Sequence, residues 1–276
     1  MLPYTAYHFE VNPLNPGVDI LIAELGELGF ESFVEEENGV TAYIPSKNSF
    51  PEILKNVSIL NSPQFQISYT TEEIQPVNWN EEWEKNFQPI NIDGICYIRA
   101  PFHPKIETRY DIVIEPKMSF GTGHHATTWL MARYILKEDF KEKTVLDMGC
   151  GTGVLAILAE KKGAEKLDAI DIDRWCYENT MENVERNDCT KTTVYEGDAK
   201  VLKGKQYDII LANINRNILL EDLPIYVQSL NRTGSLFLSG FYVEDLKIIQ
   251  DKCQNLGLLY ESCKVKDNWV AVKFVK

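Results

Sequence analysis

Asp147, Gly149, Gly151 and Gly153 stand at every second position in the stretch 144–153, Thr-Val-Leu-Asp-Met-Gly-Cys-Gly-Thr-Gly. A short apolar and β-branched run (Thr144, Val145, Leu146) leads into them and a helical run over 154–162 leads away, so the pattern predicts a strand ending in a glycine-rich turn that opens a helix. Glycine lacks a Cβ, so such a turn lets a ligand lie against bare backbone, beside the unpaired N–H groups of the helix start. The dinucleotide fingerprint G-x-G-x-x-G places its last glycine three residues after the second. Here the spacing is two and two, and Val154 stands where that last glycine would be. Asp147, just before the first glycine, would repel a pyrophosphate and suits a cationic ligand instead.

Asp-x-Gly-x-Gly-x-Gly resembles the first motif of S-adenosylmethionine-dependent methyltransferases, whose cofactor carries an ammonium and a sulfonium but no phosphate. The residues that follow fit such a ligand. A second strand over 167–172 carries Asp171, eighteen residues after Gly153, where a carboxylate can accept both hydroxyls of an adenosine ribose; Asp173 is the weaker candidate. A helix is expected over 174–187 and a third strand over 192–196, followed by Gly197-Asp198-Ala199 as an adenine contact. A fourth strand over 207–212 delivers Asn213 to the same carboxyl edge, where open α/β sheets bind their ligands. Asn213 could instead cap the next helix.

Upstream, 116–128 reads Pro-Lys-Met-Ser-Phe-Gly-Thr-Gly-His-His-Ala-Thr-Thr, a loop dense in hydrogen-bonding groups before an amphipathic helix through Leu136. It could close over a ligand. His124 and His125 read as structural hydrogen-bonders, and adjacent histidines without further ligands do not make a metal site.

The elements that must position these residues fall into two modules. Residues 1–75 predict a strand over 4–11, a helix over 20–28, strands over 33–37 and 40–44 about Asn38-Gly39, a second helix over 51–60 and a closing strand over 65–70. That order, β-α-β-β-α-β, suggests a small α+β, ferredoxin-like domain. Residues 76–90 predict a linker helix with Trp79, Trp83 and Phe87 on one face, and residues 91–276 the α/β domain. In the latter, strands are expected over 95–100, 110–115 and 234–241, with an antiparallel pair over 257–264 and 269–275.

Charge separates the modules further. Residues 1–75 hold eleven carboxylates against Lys47 and Lys55, which is −9 of the chain's −13. An acidic module repels a phosphate backbone and attracts a basic partner, so no direct nucleic-acid binding is expected. An apolar and aromatic content of 44% and 11% supports packed cores, yet no apolar run reaches the ~20 residues of a membrane span. The first residues lack a basic, apolar leader, and the six cysteines are scattered without a C-x-x-C pair, so cytoplasmic location with reduced thiols is expected.

Together, 120–128 (Phe-Gly-Thr-Gly-His-His-Ala-Thr-Thr), 146–156 (Leu-Asp-Met-Gly-Cys-Gly-Thr-Gly-Val-Leu-Ala), Asp171-Ile-Asp173, Leu211-Ala-Asn-Ile214 and Leu238-Ser-Gly240 resemble the bacterial ribosomal protein L11 methyltransferases. The resemblance covers the α/β domain and reaches back through Trp79 and Trp83, with a weaker match before them. It implies a Rossmann-like, class I methyltransferase domain, S-adenosylmethionine as cofactor, and residues 1–75 as the recognition domain for ribosomal protein L11. By the same resemblance, cofactor contacts fall on Thr128, Gly149, Asp171 and Asn213, with Phe120, Gly121 and Thr122 in the loop enclosing the methionine; Gly151 and Asp198 join them from the residue pattern. One departure is Asn215-Arg216, where the family usually carries a small apolar residue and alanine.

The implied chemistry is in-line displacement on a sulfonium carbon by an unprotonated amine, a lysine side chain or an α-amine. A lysine near ~10.4 is mostly protonated at neutral pH and an α-amine near ~8 less so; desolvation lowers either. Asn213 and nearby backbone carbonyls are expected to orient the amine, without a dedicated base. An adenine or glutamine methyltransferase would carry Asn/Asp-Pro-Pro-Tyr after the fourth strand, whereas this chain has Asn213-Ile214-Asn215-Arg216. A protein-lysine methyltransferase for another basic protein shares the motifs and is the alternative; a non-enzymatic binding protein would bind the cofactor without turnover.

Overall fold

A computed structural model of the chain describes residues 3–74, 84, 87–117 and 119–276. The chain divides into two compact units, 1–86 and 87–276. The expected linker helix with Trp79 and Trp83 lies outside the described residues.

The first unit is one antiparallel sheet in the order β2-β3-β1-β4, built from β1 (Tyr4–Asn12), β2 (Ser32–Glu36), β3 (Gly39–Pro45) and β4 (Gln66–Ile74), with helix α1 (Leu14–Glu27) between the first two strands. Phe9, Val11, Leu21, Leu25, Val40 and Ile44 share its core. Two expectations fail here. The hairpin turns on Glu37 and Asn38, because Gly39 is already paired with Glu36. Gly39 serves the sheet, since a Cβ there would stand 1.8 Å from the Phe9 carbonyl oxygen. The helix expected over 51–60 is instead a pair of 3₁₀ turns, Ile53–Asn56 and Ser58–Asn61, separated by extended Val57. Ile53, Leu54, Val57 and Ile59 are all buried, a spacing that no single α-helical face accommodates.

The second unit opens with a small sheet in the order β5-β6-β7 (Ile90–Ile92, Cys96–Arg99, Tyr110–Val113). Its main sheet has seven strands. The elements in chain order are α2 (Ala126–Lys137), β8 (Thr144–Met148), α3 (Val154–Lys161), β9 (Lys166–Asp171), α4 (Arg174–Arg186), β10 (Thr192–Glu196), β11 (Tyr207–Asn213), α5 (Arg216–Ser229), β12 (Leu230–Tyr242), α6 (Leu246–Asn255), β13 (Leu259–Lys266) and β14 (Trp269–Val275). The strand order is β10-β9-β8-β11-β12-β14-β13, parallel except that β14 runs antiparallel to both its neighbours.

Both faces of this sheet are covered, so its inner strands are apolar on both sides. Val145, Ile209 and Leu211 pack in one core with residues of α2 and α3, while Leu146, Ile210 and Ala212 pack in a second with residues of α5 and α6. β8 lies between β9 and β11, so the chain leaves its carboxyl end in opposite directions on the two sides and a crevice opens there. Among the described residues no helix is long and apolar enough to cross a membrane.

Candidate active site

The crevice encloses about 680 Å³, within the range of small-molecule sites. The strand ends supply its walls: Met148, Gly149 and Gly151 after β8, Asp171 and Ile172 after β9, Gly197 and Asp198 after β10, and Asn213 with Ile214 after β11. Phe120 and His125 enter from the loop before α2, Thr127 from its first turn, Gly240 from β12 and Trp269 from β14.

Gly151 is where the turn meets backbone most closely. Its φ is +57°, and a Cβ there would lie 2.3 Å from the Phe120 carbonyl oxygen. Only glycine fits both demands. Thr152 fastens the loop to the turn: its N–H donates to the Phe120 carbonyl at 2.9 Å and its hydroxyl to the Gly121 carbonyl at 2.7 Å.

Asp171 is held rigidly at the end of β9. One carboxylate oxygen accepts from the Gly151 N–H at 2.9 Å and the other from the Asp173 N–H at 3.0 Å. Each oxygen keeps a second lone pair, which suits a vicinal diol. Asp173 does not reach the crevice wall; it caps α4 through the Trp175 N–H. Asp198 lines the crevice, with its carboxylate engaged by the N–H and the ammonium of Lys200. Among the described residues Lys200 is the one lysine or arginine on this wall, so a pyrophosphate would meet more carboxylate than cation.

Asp147 departs from expectation. It is 1% exposed, absent from the wall, and accepts the Ala156 N–H at 3.0 Å. It therefore anchors the start of α3 to β8 and does not face a ligand. Burial pushes its carboxyl up to about 7, opposed by the Ala156 hydrogen bond and reinforced by the charge of Asp171.

Asn213 contributes the most informative atom. Its amide N–H₂ donates to the Thr128 hydroxyl at 3.4 Å, while its carbonyl oxygen is buried and has no partner among the described residues. A buried carbonyl left unpaired costs stability unless a ligand satisfies it. Thr128 is fully buried behind Asn213, and its neighbour Thr127 is the one on the wall. Helix capping, the competing role for Asn213, belongs to Asn215, whose side chain accepts the Asn217 and Ile218 N–H groups. Arg216 reaches Asp245 at 2.6 Å. The departure at 215–216 thus closes the start of α5.

His125, read from the sequence as a structural hydrogen-bonder, and Trp269, which the sequence left unassigned, also line the wall. His125 caps α2 and stacks edge-on between Phe120 and Trp269, at 5.1 and 4.6 Å, and burial lowers its pKa. Trp269 arrives only through the pairing of Tyr242 with Trp269 across β12 and β14. Gly121 and Thr122 line an adjoining cavity of about 510 Å³, which shares Phe120 and His125 with the first. Among the described residues no three histidine, cysteine or carboxylate side chains are grouped to hold a metal.

Comparison with known proteins agrees with this geometry. The family described as ribosomal protein L11 methyltransferase (PrmA) matches residues 21–276. A ribosomal protein L11 methyltransferase of Phocaeicola vulgatus is 47% identical over 99% of both chains, and one of Bacteroides thetaiotaomicron is 48% identical over 99% of both. Among solved structures, a ribosomal protein L11 methylase from Lactobacillus delbrueckii subsp. bulgaricus superposes with a TM-score of 0.63 at 26% identity, covering 68% of this chain and 98% of its own. A methyltransferase from Pyrococcus furiosus shares the fold at a TM-score of 0.51 and 22% identity, covering 60% of this chain and 89% of its own.

Proposed function

The chain belongs to the ribosomal protein L11 methyltransferase family, and from that premise we infer that it transfers methyl groups from S-adenosylmethionine to amino groups of ribosomal protein L11. The single observation that carries the reading is the buried, unpaired carbonyl oxygen of Asn213 at the mouth of the glycine turn. An amide oxygen accepts an N–H and takes no proton, which is what orienting an amine requires.

The residues fit S-adenosylmethionine. Asp171 would hold the ribose hydroxyls, the backbone at Gly149 and Gly151 the methionine end beneath Phe120, Gly121 and Thr122, and the wall at Asp198 the adenine. When bound, the cofactor supplies a methyl carbon on a sulfonium, open to in-line attack. The chain's own task is positioning. Thr128 fixes the Asn213 amide so that its oxygen faces the incoming amine. The apolar wall of Phe120, Ile214 and Trp269 keeps water from that oxygen, and desolvation favours the uncharged amine. The proton leaves before attack, to solvent. Alignment then supplies much of the acceleration.

Recognition of the protein substrate falls to residues 1–75. Glu10, Glu35, Glu36 and Glu37 line one cleft with His8 and Tyr69, a surface suited to a basic protein. The same charge opposes direct contact with nucleic acid, and a ribosomal protein substrate supports action in the cytoplasm. The test is labelled methyl transfer to purified L11 by the full chain and by residues 87–276. Among the described residues the core of the first unit contains none from the second, so the truncated chain keeps both of its own cores. Labelling by the full chain alone is expected. Equal labelling by both would remove the recognition role, and labelling of another basic protein in place of L11 would overturn the substrate.

A further inference from the structure

We propose that His124 is a positioning residue linking the cofactor crevice to Phe87 and Gln88, so that cofactor binding is felt where the second unit begins. The inference rests on the reading of the crevice as an S-adenosylmethionine site.

An unbroken set of bonded contacts carries it. Thr152, inside the glycine turn, holds the Phe120 and Gly121 carbonyls at 2.9 and 2.7 Å. One residue on, the Thr122 hydroxyl meets His124 Nδ1 at 3.0 Å, and His124 Nε2 meets the Gln88 carbonyl at 2.8 Å. A carbonyl only accepts, so Nε2 carries the proton; in the neutral ring Nδ1 is then the acceptor and Thr122 the donor. The His124 ring also lies 4.6 Å from the Phe87 ring.

A second histidine secures the same segment. His103 Nδ1 accepts the Ala100 N–H at 3.0 Å, which leaves Nε2 protonated to donate to the Phe87 carbonyl at 2.6 Å. Its ring stacks on Phe87 at 6.1 Å with an interplanar angle of 11°. Phe87 and Gln88 are thus gripped on consecutive carbonyls, by His103 from the small-sheet side and by His124 from the cofactor loop. His124 also lines the cavity of about 510 Å³ that adjoins the crevice and shares Phe120 and His125 with it. Any ligand that orders Phe120 and Gly121 therefore orders the partner of Gln88. By reciprocity, whatever holds residues 87–88 in place favours the ordered Phe120–Gly121 segment.

Hydrogen exchange of the full chain, with and without S-adenosylhomocysteine as the probe, tests this. In the natural chain, amides over 87–92 are expected to slow by about threefold on binding, together with those of 149–153. His124→Ala removes the link. His124→Phe keeps a ring against Phe87 and removes both hydrogen bonds. In each variant 149–153 still slows and 87–92 does not. Protection reaching 87–92 equally in both variants, or absent from it in the natural chain, would overturn the proposal. Methylation of L11 is read separately: an unmethylated L11 with the exchange pattern intact sinks the substrate reading alone, and a methylated L11 without the pattern sinks the link alone.

Discussion

Two side chains at the glycine turn, Asn213 with its buried carbonyl oxygen and the enclosed Asp147, have opposite relations to charge. Asn213 lines the crevice with an uncharged acceptor, so in the proposed role its oxygen would serve an amine at any pH at which the amine is neutral. Asp147, fully enclosed, is pushed up to about 7 from an ordinary value of 3.8. The sign of the consequence is fixed by linkage. Below about pH 4 folded and unfolded chains both hold the Asp147 proton. Between about 4 and 7 the unfolded chain loses it first, so stability falls as pH rises through that window, then stays level above it. The full difference is at most about 4 kcal/mol. Asp147→Asn keeps an acceptor for the Ala156 N–H and does not titrate. Its melting temperature should therefore gain on that of the natural chain from pH 4 to 7 and run parallel above; parallel curves throughout would refute the burial effect.

At the scale of elements, the strand, turn and helix around Gly151 were legible because each residue there answers a local demand. Val145 and Leu146 alternate between two cores, and Gly151 meets a backbone oxygen that no Cβ could tolerate. Gly151→Ala should push the Phe120 carbonyl away, loosen the loop and weaken S-adenosylhomocysteine binding by about tenfold or more, measured by calorimetry. Affinity within twofold of the natural chain would mean that the close approach is not needed. Elsewhere local reading stopped short. The acidic residue before the turn was read as facing a cationic ligand, and nothing in its spacing pointed to the Ala156 N–H that it accepts. Asn213 and Asn215 are both plausible caps, separated only by where β11 ends and α5 begins. The stretch 51–60 has helix-like composition, but its buried residues Ile53, Leu54, Val57 and Ile59 do not share one helical face.

At the scale of the whole molecule, the α/β rhythm implied a parallel sheet, and with it the convergence of Gly149, Asp171, Asp198 and Asn213 on one edge. Trp269 and Gly240 were beyond reach as wall residues, because they come to the crevice through an antiparallel pairing of the last strand with β12 that no local pattern encodes. The acidic bias of residues 1–75 was plain, and the structure gathers Glu10, Glu35, Glu36 and Glu37 around one cleft. The division of labour we propose is binding by the first unit and positioning of an amine by the second. The most direct measurement is the intact mass of L11 after incubation with S-adenosylmethionine and either the natural chain or Asn213→Ala. The natural chain should add methyl groups, and the variant should do so about 100-fold more slowly while still binding the cofactor. An unchanged L11 mass with the natural chain, or methylation by the variant at the natural rate, would contradict the account.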